Sequence, residues 1–245
     1  MPASKARLAI LVPLIGATLV WYDFHLFGSL ATTISPRFFT KSTPTLTATA
    51  YFSTFAIGLI VRPIGALLFG RVGDLNGPKR ALSQTLLLTG VATLLLGMLP
   101  TYRVIGVTAP VVLLALRMLQ GLAFGGVYAG AVLYSAEYAP EHKRGLNTSW
   151  IQMAPTLGLL LSLALINVVR HTLGDERFAA YGWKMTFLPS TILIGLSLAI
   201  LAGIANFLLG AVWPTALGAA VLVLAVWLLT DQVLLAHGWD PWHRQ

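Results

Sequence analysis

Apolar residues run through this chain in blocks long enough to cross a bilayer, with polar groups confined to short intervals between them. A hydrocarbon core about 30 Å thick needs roughly 20 apolar residues per helix. The first block runs from Leu8 to Leu30, the second from about Ala50 to Phe69, and the third from about Ala81 to Leu99. The fourth spans about Ile105 to Tyr134 and the fifth about Trp150 to Val169. From Met185 to Ala236 the apolar stretch is too long for one crossing, and Gly210–Pro214 divides it, because proline removes a helix donor and clashes with the preceding turn. The pattern predicts an all-α integral membrane protein with seven spans, or six if the last segment lies along the interface. The blocks are continuous, without the two-residue alternation of a membrane barrel.

Composition agrees with this solvent. Of 245 residues, 57% are apolar and 10% charged, against about 25% charged in soluble domains. That excludes an ordinary water-soluble enzyme and a disordered chain. The absence of cysteine removes disulfides, thiolate metal sites and cysteine nucleophiles. No other metal constellation or cofactor motif stands out. The net charge of +8 is spread singly and in pairs between apolar blocks, which points to membrane loops and not to nucleic acid. Met1–Arg7 and the block behind it read as an uncleaved first span: the run is too long for a signal sequence and contains Asp23.

Lysine and arginine favour cytoplasmic loops. A cytoplasmic N-terminus places Lys5, Arg7, Arg71, Lys79, Arg80, Lys143 and Arg144 inside, and Arg37, Lys41, Arg103, Arg170, Arg177 and Lys184 outside. The bias is small, and the paired cations of the short loops support it. Trp239 and Trp242 in the tail read as interfacial anchors.

Charges inside apolar blocks are costly and mark function or a partner. Span 1 carries Asp23 and His25, which point about 200° apart on a helix and so act separately. Asp23 is a candidate proton or cation site and His25 a second titratable group; the alternative for both is wetting at the outer end of the span. Span 2 carries Arg62 on a stripe with Gly58, Gly65 and Phe69, followed by Pro63. It pairs with Asp23, binds an anion, or snorkels to the interface. In span 4, Arg117, Gly121, Gly125 and Ala129 recur every four residues, flanked by Gln120, Gly126 and Gly130. Gly121, Gly125, Gly126 and Gly130 allow close helix packing, beside an arginine whose charge is permanent. No nucleophile elbow, zinc-protease motif or phosphate loop occurs, so an enzyme is not expected.

The segment Gly70-Arg71-Val72-Gly73-Asp74-Leu75-Asn76-Gly77-Pro78-Lys79-Arg80 resembles the loop between helices 2 and 3 of the major facilitator superfamily, G-x-L-A-D-R-x-G-R-K. Further segments resemble its metabolite:proton symporter branch: Trp21-Tyr22-Asp23-Phe24, Arg62-Pro63-Ile64-Gly65-Ala66, Arg117-Met118-Leu119-Gln120-Gly121 with Gly125-Gly126, Glu137-Tyr138-Ala139-Pro140 with Lys143-Arg144-Gly145, and Gly182-Trp183-Lys184. The resemblance covers about residues 10–200. It implies a six-helix N-terminal half over residues 1–209, followed by an extra hydrophobic helix and polar tail over 210–245. It implies carriage of small organic acids or zwitterions with protons across the inner membrane, with Asp23, His25, Arg62, Arg117, Gln120 and Tyr128 along the pathway. Gly70, Asp74, Gly77, Lys79 and Arg80 would form the cytoplasmic gating loop.

Two loop cations of the family are replaced by Leu75 and Pro78, and the family's Gly-Gly-Glu-Tyr reads Gly125-Gly126-Val127-Tyr128. A complete carrier of this kind has twelve helices around a shared cavity, so a half would expose Asp23, Arg62 and Arg117 to lipid unless a homodimer or a separate C-terminal half covers them. The readings are therefore a transporting half, a truncated non-transporting protein, or a regulatory or binding subunit. The lost cations and Val127 favour the last two, the arginine–glycine stripe the first.

Overall fold

A computed structural model describes residues 3–39, 43–139, 141–191 and 195. Among these the regular elements are helices: α1 Ala3–Ser29, α2 Ala31–Phe38, α3 Pro44–Ile60, α4 Arg62–Asn76, α5 Pro78–Met98, α6 Tyr102–Ile105, α7 Thr108–Tyr138, α8 Arg144–Ser149 and α9 Ala154–Leu173, with shorter turns between and after them. Five segments are long and apolar enough to cross a membrane: Leu11–Ser29, Thr45–Asn76, Pro78–Met98, Thr108–Glu137 and Glu141–Leu173. The first five expected spans are thus present. The second half of the sixth, the break at Gly210–Pro214, the seventh, the boundary at 209/210 and the tail tryptophans lie outside the described residues.

The helix ends follow local chemistry. Thr43 caps α3 through its side-chain oxygen, with Pro44 in the first turn where its missing N–H costs nothing. Gly77, at φ +86, stops α4, and Pro78 starts α5. The expected fourth span needs a correction: it begins at Thr108, not Ile105, because Gly106 (φ +59) turns the chain between short α6 and α7. Span 2 is also two helices. Pro63 lacks the N–H that would bond the carbonyl of Leu59, and α3 passes to α4 through Val61. The fifth span reaches back to Glu141, through α8 and a 3₁₀ turn at Trp150–Met153.

Helix α7 sits at the centre, packed on α5, α4, α3 and α1, while α1 also packs on α9. Backbone touches backbone between span 2 and α7. A methyl group on Gly65 would strike the carbonyl of Leu122, one on Gly121 the carbonyl of Gly58, and one on Gly125 the carbonyl of Arg62. A methyl group on Gly126 would meet side chains instead, Phe69 at 2.5 Å and Thr85 at 2.7 Å, whereas Gly130 makes ordinary contact with Leu82. The opposite surface of span 2 is apolar and exposed at Ile60 of α3 and at Ile64, Leu67 and Leu68 of α4, as a lipid-facing surface would be.

The interior is layered. One apolar cluster gathers Tyr22, Leu26 and Phe27 of α1, Leu96 of α5 and Leu113 and Leu116 of α7 with Trp183 and Phe187. The other gathers Ala17 and Val20 of α1, Leu82 and Leu86 of α5, and Val127 and Ala131 of α7 with Ile151. Where the clusters meet, each of the three helices carries buried polar residues: Asp23, then Thr89 and Thr93, then Arg117 and Gln120.

Candidate functional site

That polar layer is held by hydrogen bonds between helices. The amide of Gln120 donates to the hydroxyl of Thr93 at 2.7 Å, and Thr93 donates to Oδ2 of Asp23 at 2.7 Å. Three spans thereby meet in a linear chain of amide, hydroxyl and carboxyl. Asp23 is 3% exposed, Arg117 5% and Gln120 7%. Arg117 is near enough to Asp23 to attract it electrostatically.

The layer borders a small cavity to which Asp23, Arg62, Thr89, Arg117 and Gln120 contribute, with Phe24, Phe55 and Phe124 as apolar walls. Both guanidiniums rest on aromatic faces. Arg117 lies 3.2 Å from the ring centre of Phe27; Arg62 lies 3.6 Å from Phe124, 4.5 Å from Phe24 and 5.9 Å from Trp21. The attraction of a cation to a ring face partly offsets its loss of water. It does not satisfy the N–H donors: Nε of Arg62 and Nε and Nη2 of Arg117 are buried without hydrogen-bond partners. Oδ1 of Asp23 and Oε1 of Gln120 are likewise buried and unpartnered acceptors. With one carboxylate against two guanidiniums, the cavity carries a net positive charge when Asp23 is ionised.

The structure therefore brings together Asp23, Arg62, Arg117 and Gln120, and does not bring His25 and Tyr128 into the lining. The His25 ring stacks on Trp21 at 5.6 Å and meets the edge of Phe24, on the other side of those rings. Tyr128 is two turns along α7 from Gln120, about 12 Å away at the helical rise, where its hydroxyl accepts from the amide of Gln152. Arg62 forms no ion pair with Asp23 among the described residues, nor does it snorkel; its side chain lies over the cavity aromatics. The expectation of an open charged face is corrected for Asp23 and Arg117. The glycine contacts draw span 2 onto α7 closely enough to bury both.

Sequence reasoning missed Thr89 and Thr93, although Thr85, Thr89 and Thr93 recur every four residues and mark one polar stripe on α5. It also missed the phenylalanines that seat the guanidiniums, which look like ordinary core residues in a sequence.

The expected gating loop is instead the end of α4 and the start of α5, joined at Gly77, and it is built differently. Gly70, Asp74 and Arg80 are exposed, and Gly77 and Lys79 half-buried. Arg80 reaches Asn76 at 3.3 Å. Asp74 makes no ion pair among the described residues, and Leu75 and Pro78 occupy the places of two cations.

The model of the family described as sugar (and other) transporter matches residues 9–214. The shikimate transporter of Escherichia coli K12 is 41% identical over 192 residues, 78% of this chain and 44% of that protein. The proline/betaine transporter of Salmonella typhimurium LT2 is 34% identical over 184 residues, 75% of this chain and 37% of its own length. The chain thus spans less than half the length of these curated relatives. Among solved structures, the partially occluded inward-open xylose transporter XylE of E. coli superimposes with a TM-score of 0.67 at 21% identity, covering 80% of this chain and 48% of that one. The proton:xylose symporter XylE bound to 6-bromo-6-deoxy-D-glucose gives 0.68 at 19%, covering 97% and 57%. At that identity the likeness speaks for the fold alone. This is a multi-pass membrane protein, and the chain belongs to the sugar (and other) transporter family.

Proposed function

We propose that the chain is the N-terminal half of a proton-coupled symporter for small organic acids or zwitterions, seated in the inner membrane with its N-terminus in the cytoplasm. The observation that carries this reading is the buried chain Gln120–Thr93–Asp23 beside Arg117, at mid-height between two apolar layers. A carboxyl there has a reason to gain and lose a proton as the site empties and fills, since an isolated buried charge is costly and a paired one is not. Arg117 and Arg62 supply fixed positive charge for an anionic group. The printed names of the relatives, a shikimate transporter and a proline/betaine transporter, span the two substrate classes. Gly70, Asp74, Gly77, Lys79 and Arg80 act as the cytoplasmic hinge. Alternating access requires a second bundle packed against this one.

The test is uptake of shikimate into liposomes holding the purified protein, driven by an inward proton gradient. Uptake is expected to require the gradient and to fall to background in Arg117→Ala. Uptake indifferent to both would contradict the proposal. A second reading, a non-transporting membrane subunit, is favoured by Val127, which lies in an apolar layer where the family has glutamate, and by Asp74, which makes no ion pair among the described residues. It predicts ligand binding without any uptake.

A further inference from the structure

Two opposite charges share the cavity without meeting. Arg117 is buried with Nε and Nη2 lacking hydrogen-bond partners, and Asp23 is buried with Oδ1 lacking one. Both line the same cavity, yet no ion pair joins them among the described residues. An ionised carboxyl and a guanidinium taken out of water attract strongly, so something holds this guanidinium away from that carboxylate. We infer that Tyr51 of α3 is a positioning residue for Arg117: it clamps the Phe27 ring as a seat on which the guanidinium is kept apart from Asp23, with its donors open to an anionic ligand. This rests on the carrier reading above, in which Arg117 receives the anionic group, and adds to it two residues that do not line the cavity.

The seat is built from three helices. Phe27 lies in the last turn of α1, where backbone carbonyls have no partner within the helix. The Tyr51 hydroxyl supplies one, donating to the Phe27 carbonyl at 2.6 Å. The Tyr51 ring also stacks on the Phe27 ring, 4.2 Å between centres and 10° between planes. The Arg117 guanidinium lies 3.2 Å from the same ring centre. Groups that close to one ring cannot share a face, so Phe27 is sandwiched, with Tyr51 behind it and Arg117 in front. Tyr51 and Phe27 are both wholly buried. The ring has no room to retreat, and its main chain is pinned by the same tyrosine that backs its side chain.

At 3.2 Å the guanidinium lies flat, so the ring takes its face and leaves its N–H edge available. An arginine that receives an anion needs that arrangement. Paired with Asp23, Arg117 would offer a ligand's carboxylate only donors already in use, and binding would first have to break a buried ion pair. Seated on Phe27, it meets the ligand with Nε and Nη2 unoccupied. Asp23 is meanwhile left to its hydrogen bond from Thr93. Loss of the seat removes the one contact that competes with the carboxylate for the cation, and the guanidinium is expected to fall onto Asp23.

The experiment reads Arg117 itself and then its ligand. Nuclear magnetic resonance of the full chain in lipid nanodiscs, with isotopically labelled arginine, identifies the Arg117 Nε–H signal by its loss in Arg117→Lys. That proton is expected upfield of the exposed arginines, because it lies in the shielding region above a ring. It is expected to move downfield in Tyr51→Leu. In Tyr51→Phe, which keeps the ring and loses only the hydroxyl bond, it is expected to move part of the way. A signal unmoved in both variants overturns the inference. Shikimate binding, measured by isothermal titration calorimetry, is expected to weaken at least about tenfold in Phe27→Leu. Adding Asp23→Asn to Phe27→Leu is expected to restore binding to the level of Asp23→Asn alone, since no carboxylate remains to capture the guanidinium. A merely structural phenylalanine would leave the double variant as weak as Phe27→Leu, and that result also overturns the inference. The two proposals fail separately. Proton-driven uptake with an unmoved Arg117 signal rejects the seat alone, whereas a moved signal without shikimate binding or uptake rejects the carrier and keeps the seat.

Discussion

The polar layer and the α4–α5 junction carry charge under opposite conditions. In the layer, Asp23 and Arg117 lie 3% and 5% exposed, and Asp23 is tied to α5 and α7 through Thr93 and Gln120. At the junction, Asp74 of α4 and Arg80 of α5 stand in the open, with one side-chain bond of 3.3 Å from Arg80 to Asn76. Inside a bundle, a charge must be housed by neighbours on other helices, so its position is over-determined. At the surface, water does that work. The contrast teaches that helix neighbours house the charges of the layer, while solvent houses those beside the α4–α5 junction.

Substitutions can break that contrast. The largest effect is expected at Gly125, where a methyl already meets the carbonyl of Arg62 and comes within 2.7 Å of the Ala66 amide nitrogen. Gly125→Leu should eliminate the monodisperse protein in detergent size-exclusion chromatography, since backbone cannot yield as a side-chain tip can. Next comes Thr93→Val, nearly isosteric, which leaves Asp23 and Gln120 without their shared hydroxyl. A loss of ~1–3 kcal/mol should appear as a lower Tm; an unchanged Tm would mean the hydrogen-bonded chain does not hold the layer. Smaller is Gly77→Ala, placed at φ +86, with an expected cost of about 1–2 kcal/mol from left-handed backbone. The smallest is Gly70→Ala, inside α4 with nothing within 4 Å. It should raise stability by roughly 0.5–1 kcal/mol through helix propensity, and a loss there would show that this stretch of α4 is packed against something.

Much of this arrangement is legible in the order of residues. Block length locates five spans, because the bilayer sets how many apolar residues a crossing needs. Arg62, Arg117, Asp23 and Gln120 announce themselves as polar groups where none should be, and the four-residue spacing of Gly121 and Gly125 marks the face that meets span 2. What stays hidden depends on partners distant in sequence. Thr93 is an unremarkable helix residue until α1 and α7 bring Asp23 and Gln120 to its hydroxyl. Phe124 becomes a seat for a cation only when Arg62 arrives from another helix. His25 and Tyr128 mislead for the converse reason: polarity within a span does not say which side of it faces the cavity. The start of α7 at Thr108 escapes because hydropathy is continuous through Ile105, while the turn depends on the φ of Gly106.

The central claim is that burial and wetness are inverted here: the enclosed layer meets water and ligand, and the exposed face of α4 meets lipid. The chain has no cysteine, so single substitutions report without background. Thr89→Cys lies in the cavity at 2% exposure, and Leu67→Cys lies on the outer face at 76%. In proteoliposomes, a membrane-impermeant anionic thiol reagent is expected to label Thr89→Cys, drawn by the two arginines, and to spare Leu67→Cys. Labelling of Leu67→Cys with Thr89→Cys untouched would contradict the account.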